Sequence, residues 1–182
     1  ALADEAKLRI LQQGIVDRVA SIPGVRSVAL ASAVPFRGVD WFRQYDVTPT
    51  HAVGGNERQV TPSYFRMLGI SLKHGRLLAD TDGPGAPRVA VVSESFSRAA
   101  FGGDNPIGRV INGSVPVTIV GVVGDVRYAR FDLAPMPAIY LPMAQAPSEL
   151  MCLLAQTDAA GPQVGAAIRR AIAEVLPALP TM

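Results

Sequence analysis

Two stripes of apolar residues, one near each end of the 182-residue chain, restrict its fold more than any other feature. Near the start, Leu8, Leu11, Ile15, Val19 and Ile22 recur at helical spacing, with Asp4, Glu5, Lys7, Arg9, Asp17 and Arg18 on the other faces. Near the end, Val164, Ile168, Ile172 and Val175 repeat the pattern behind Gly161-Pro162, a pair suited to a helix start. A one-sided helix has to bury its stripe against another element. The two helices, over residues 3–22 and 163–176, are therefore expected side by side on one sheet. Pro23-Gly24 ends the first, and Pro177 and Pro180 end the last.

Between the helices the texture changes. Residues 25–34 read as a strand with Val28 and Leu30 on one side, and Pro35 to Gly38 as a turn. Residues 41–47 read as a second strand with Trp41, Arg43, Tyr45 and Val47 on one face. Residues 51–56, which hold Gly54-Gly55, read as a loop, followed by a short strand over 57–60. Thr61-Pro62 suits the N-cap and first position of a short helix that stops at Gly69. From residue 71 turns multiply around a loop at 80–87, strands at 88–92, 109–111 and 115–123, and a helix at 93–101. After Asp132 prolines punctuate the chain as far as Ile139-Tyr140-Leu141, and residues 151–156 form a strand before the last helix. The exit from the last helix echoes the exit from the first, so a further strand is expected near Thr181. A first residue Ala1, with no signal peptide, fits a piece of a longer protein.

Composition removes several classes. With 49% hydrophobic and 18% charged residues, the chain is not a disordered tail. A formal charge of +2, with Lys and Arg scattered, leaves no nucleic-acid footprint. No run approaches the ~18 apolar residues of a membrane helix. Cys152 is the only cysteine, which excludes an internal disulfide, and its apolar setting reads as a small buried hydrophobe.

No catalytic set can be assembled. Ser93 and Ser95 lie at a strand-to-helix turn, but Gly-x-Ser-x-Gly is absent and only His51 and His74 could act as a base. Ser93 reads as a helix cap, and the histidines as surface or capping residues. Gly121 and Gly124 lack the third glycine and the helix of a dinucleotide fingerprint. Asp80 and Asp82 lack the other ligands of a calcium loop and read as solvated acids. No cofactor, metal or catalytic residue is expected. Trp41-Phe42 is the candidate partner contact. Either one ring is buried against the first helix, or the pair is an exposed contact for a partner or sister domain. A stand-alone extracytoplasmic peptide- or ligand-binding module is the alternative; it requires a deep apolar pocket with convergent polar groups, and one centred on Trp41 would favour it.

Four stretches in register carry a resemblance. They are Val60-Thr61-Pro62-Ser63-Tyr64-Phe65-Arg66-Met67-Leu68-Gly69-Ile70 with Gly75-Arg76; Val89 to Glu94 running on to Ala100-Phe101-Gly102-Gly103-Asp104-Asn105-Pro106-Ile107-Gly108; Thr118 to Asp125; and Ile139-Tyr140-Leu141-Pro142. Together they resemble the MacB-like periplasmic core domain of FtsX-like ABC-transporter permeases, in wording nearest the duplicated permeases of Acidobacteria-type genomes. The resemblance implies an α+β fold: a split, porter-like lobe of helix–strand repeats over residues 1–70 and 134–182. A smaller β-rich, sabre-like lobe is inserted at 71–133. It also implies a non-enzymatic domain on the periplasmic side of the inner membrane, coupling ATP-driven movement to substrate or partner handling. The implied partners are the protein's own membrane helices, a second permease domain, a cytoplasmic ATPase acting indirectly, and a periplasmic adaptor or exported substrate. No nucleic acid is implied.

Overall fold

The amphipathic stripe at the start of the chain becomes α1 (Leu2–Ala20), followed by Gly24 at φ +84° and β1 (Val25–Ala31). This is a computed structural model, and it describes residues 2–35, 37–38, 41–127, 134–158 and 161–176. The expected strand near Thr181, the prolines at 177 and 180, Phe36, and residues 132–133 lie outside the described residues.

β1 pairs antiparallel with β11 (Cys152–Thr157), and α1 and α4 (Pro162–Val175) cover one face of that pair. Ile15, Val19 and Ala171 are buried there with Val28, Leu30 and Met143. Gly14 permits the close approach of the helices, since a Cβ there would lie 3.3 Å from Val175 Cγ1. An ion pair between Arg18 and Glu174 spans the exposed side. The two helices thus share one core, as their stripes require.

The remaining strands close on themselves. β4 (Trp41–Thr48) and β5 (His51–Val60) form an antiparallel hairpin. β5 pairs in parallel with β10 (Ala138–Pro142), β10 antiparallel with β7 (Val89–Ser93), and β7 in parallel with β9 (Pro116–Val123). β9 pairs with β8 (Val110–Asn112), and β8 returns to β4 through Asn112 and Asp46. Six strands therefore make a closed barrel. Tyr45, Val53, Ile111, Ile119 and Ile139 fill it, with Phe96 from α3 (Glu94–Phe101). β6 (Leu72–Gly75) adds to β9, and β2 (Ala33–Val34) and β3 (Arg37–Gly38) form a small hairpin. Residues 71–133 supply β6 to β9 and α3, while β4, β5 and β10 complete the barrel from outside that segment. The expected boundaries at 70 and 134 run between hydrogen-bonded strands. Ile70 and Pro135 line the same cleft.

A third cluster lies where β1, β5 and β10 meet, roofed by α2 (Ser63–Met67). The Phe65 and Tyr140 rings are 5.2 Å apart in an edge-to-face contact. Hydrogen bonds stitch this joint. Thr61 N donates to Leu30 O at 2.9 Å, Leu30 N to Thr61 Oγ1 at 3.0 Å, and Ser63 Oγ to Val28 O at 2.6 Å. Ser32 N donates to Gln59 O at 2.9 Å, and Gln59 N to Ser32 Oγ at 3.1 Å.

Two local expectations are corrected. Residues 51–56 are strand, because Gly54 and Gly55 make room rather than a turn. Phe42 covers Gly54, and a Cβ on Gly55 would lie 2.5 Å from Ile139 Cδ1. Thr61 does not cap α2, because its hydroxyl is committed to Leu30; Pro62 precedes the helix with no side-chain cap.

Candidate functional site

Each sequence-level site candidate has a definite place in this frame. Ser93 is buried at the end of β7, where its Oγ accepts from Phe96 N at 3.2 Å and from Ala138 N at 2.9 Å. It caps α3 and ties it to β10. Asp125 supports the same helix start, accepting from Ser95 N at 2.7 Å and from Arg98 Nη2 at 3.0 Å. Burial alone would raise the Asp125 pKa. The hydrogen bonds from Ser95 and the Arg98 guanidinium outweigh it and hold the carboxyl below its ordinary value. His51 is exposed and meets Ala99 O at 3.2 Å. His74 is exposed on β6, on the wall of a cleft of about 560 Å³ lined also by Glu94, Arg98 and Asp104.

Asp82 departs from its expected role. Its residue is 5% exposed, and Arg76 clamps the carboxylate in two bonds of 2.8 Å while Ala79 N donates at 2.9 Å. The Arg76 bonds lower the Asp82 pKa against the opposing effect of burial. This acid is an anchor for the loop after β6, not a solvated one. Gly75 and Gly121 belong to the same arrangement. A Cβ on Gly121 would lie 2.1 Å from Arg76 O, and one on Gly75, at φ +72°, 2.2 Å from Val120 O. Gly121 therefore serves backbone contact between β6 and β9, and the residues after β9, 124–127, are not helical.

Trp41 and Phe42 open β4. They are 46% and 56% exposed and point to opposite faces of the strand. The reading with one ring buried against the first helix is corrected: β4 is a barrel strand, whereas α1 covers the β1–β11 pair. Phe42 lies over Gly54, where a Cβ would come within 2.2 Å of its Cζ. Trp41 shares its face with Arg43 and Tyr45 and stands opposite Glu57 in the register. Tyr45 donates its hydroxyl to Glu57, Gln59 Nε2 donates to the other carboxylate oxygen at 2.8 Å, and Arg43 Nε lies 3.2 Å from the first. Burial, then the Glu57 bond, pushes the Tyr45 phenol far above its ordinary value. This buried network escaped the sequence reading. Its only signal was Tyr45 and Glu57 on neighbouring strands. The aromatic pair therefore sits beside a hydrogen-bonded wall, and it lines neither the cleft at His74 nor the one at Ile70.

Residues 4–171 match the MacB-like periplasmic core domain family. Among curated relatives, the macrolide export ATP-binding/permease protein MacB of Aggregatibacter actinomycetemcomitans is 39% identical over 69 residues, 37% of this chain and 11% of the relative. The pyoverdine export ATP-binding/permease protein PvdT of Pseudomonas aeruginosa is 28% identical over 122 residues, 66% of this chain and 17% of the relative. The chain thus spans a small part of their length. The periplasmic region of MacB from Actinobacillus actinomycetemcomitans shares the fold at a TM-score of 0.66 and 20% identity, over 90% of this chain and 72% of that one. The extracellular domain of the noncanonic ABC-type transporter YknZ from Gram-positive bacteria does so at 0.68 and 15%, over 91% and 83%. Among the described residues no helix is long and apolar enough to cross a membrane. With a match running nearly end to end and the fold shared over the same span, the chain belongs to the MacB-like periplasmic core domain family.

Proposed function

We propose that this chain is the extracytoplasmic part of an ABC-transporter permease and transmits movement rather than performing chemistry. The family match over residues 4–171 carries the reading. The geometry supplies a path for force. α1 and α4 share one core over β1 and β11, β1 is stitched to β5 at Leu30–Thr61 and Ser32–Gln59, and β5 is a wall of the barrel. The helical layer and the barrel then act as two arms of one lever. In this reading the helical layer receives displacement from the membrane helices, driven indirectly by the ATPase. The barrel presents Trp41 and Phe42 to a sister domain, an adaptor or an exported substrate.

A stand-alone binding module would need a deep apolar pocket with convergent polar groups, and no observation favours it over the lever. The test uses the full-length permease in intact spheroplasts. Thr50, exposed at the β4–β5 turn, is replaced by cysteine in a background without other cysteines. A membrane-impermeant maleimide should label Thr50→Cys without lysis. Labelling only after lysis would place the domain on the cytoplasmic side and overturn the reading.

A further inference from the structure

An asparagine followed by glycine can lose its side-chain amide without an enzyme. The backbone nitrogen of the next residue attacks the side-chain carbonyl carbon. Glycine offers that nitrogen with no side chain in the way and with the backbone freedom to reach the attack geometry. The chain has three asparagines, and the fold separates them. Asn56 is buried within β5, its own N–H donates to Pro137 O, and Glu57 follows it. Asn105 precedes Pro106, whose nitrogen has no hydrogen to give up. Asn112 is exposed at the last position of β8, and Gly113 follows it in the bends at 113–115. The related pair Asp82-Gly83 is shut by Arg76, which holds both carboxylate oxygens. Packing fixes the glycine at 113: a Cβ there would lie 2.6 Å from Cε1 of Tyr45, one of the residues that fill the barrel.

The position gains its weight from what faces it. Among the described residues, Asp46–Asn112 is the one register pair that joins β4 to β8, the seam that closes the barrel. Directly opposed residues point to the same face, and both of these are exposed. We infer that Asn112 is a self-deamidation site whose product opens the β4–β8 seam. Gly113 N bonds to Asn112 Cγ and gives up its proton, and the Cγ–Nδ2 bond breaks to release ammonia. Water then opens the cyclic imide at either carbonyl, with no net oxidation or reduction. One opening gives aspartate, a second carboxylate directly opposite Asp46. The other gives isoaspartate, which routes the backbone through the side chain and adds one methylene to it, out of register with β4 and β9. The site goes beyond the transport reading and stands whether or not the domain transmits movement.

The 182-residue chain, incubated folded in mildly alkaline water enriched in heavy oxygen, tests the reaction. Peptide mass mapping should find the change at Asn112, as two products of equal mass that each carry one heavy oxygen, with Asn56 and Asn105 intact. An unmodified Asn112, equal loss at all three asparagines, or aspartate without isoaspartate would overturn it. So would reaction of Asn112 in urea alone, which would mean that the fold protects it. Hydrogen–deuterium exchange of Asn112→Asp tests the consequence. Amides of β8 and of residues 44–48 should exchange about 2- to 5-fold faster than in the unmodified chain. Asp46→Asn in that background should restore the slow exchange, because it removes one charge of the pair. Exchange unchanged by Asn112→Asp, or fast exchange that persists with Asp46→Asn, would overturn the opening of the seam.

Discussion

At the scale of single residues, the glycines separate into those that set a turn and those that let backbones touch. Gly69 has φ +65° and open space around its Cβ position, so Gly69→Ala should cost only the left-handed strain, about 1–2 kcal/mol. Gly121 faces the Arg76 carbonyl at 2.1 Å from a built Cβ, and backbone cannot yield as a side chain can. Gly121→Ala should cost about 3 kcal/mol or more and loosen β6. Chemical denaturation of both variants checks the order, and a Gly121→Ala loss smaller than that of Gly69→Ala would contradict the account. The carboxylates give a pH dependence. Asp82 and Asp125 have lowered pKa values when folded, so the folded chain binds fewer protons than the unfolded one. Their stabilisation is complete above the ordinary carboxylate pKa of about 4 and is lost as pH falls through the folded values. The melting temperature should hold from neutral pH to about 5 and fall below about 4. Asp82→Asn should lower it at neutral pH and flatten part of the acid limb. An unchanged acid limb would remove Asp82 from that role.

At the scale of elements, the joint between β1 and β5 is the feature on which the lever depends. Thr61→Val removes the hydroxyl that accepts from Leu30 N and leaves that group without its partner. The expected loss is about 1–3 kcal/mol. Partial opening should appear as faster amide exchange in β1 and α2 before the barrel is affected, and exchange rising first in β7 and β9 would argue against a joint there. Much of this level was legible in the sequence. The stripes of α1 and α4, and β1 with Val28 and Leu30 on one side, follow from side-chain period alone. The failures have physical causes. Gly54-Gly55 looks like a turn, because a sequence cannot reveal that Phe42 and Ile139 crowd that strand. Thr61 looks like a cap, because its true partner is thirty-one residues away at Leu30. The barrel closes through the parallel pairs β5–β10 and β7–β9, whose contacts have no local signature. The Tyr45–Glu57 network was hidden for the same reason, although Trp41-Phe42 stood out as a local pattern.

At the scale of the whole molecule, a lever needs a stiff body and reversible contacts. Obligate interfaces commonly bury more than ~2,000 Å², which would resist movement. The isolated chain is therefore expected to sediment as a monomer at micromolar concentration, and a dimer independent of concentration would count against the lever. Trp41→Ala should change stability by no more than about 0.5 kcal/mol, because the ring is exposed. The same variant should impair transport by the full-length permease, and normal transport would remove Trp41 from the partner surface. The most direct test of the lever is a distance measured inside it. Spin labels at exposed Lys7 on α1 and Thr50 on the barrel, in the full-length permease without other cysteines, report the two arms by double electron–electron resonance. The account predicts one unchanged Lys7–Thr50 distance with and without ATP, while Thr50 labels on two paired domains move relative to each other. A change of more than ~5 Å within the domain, or none between domains, would contradict it.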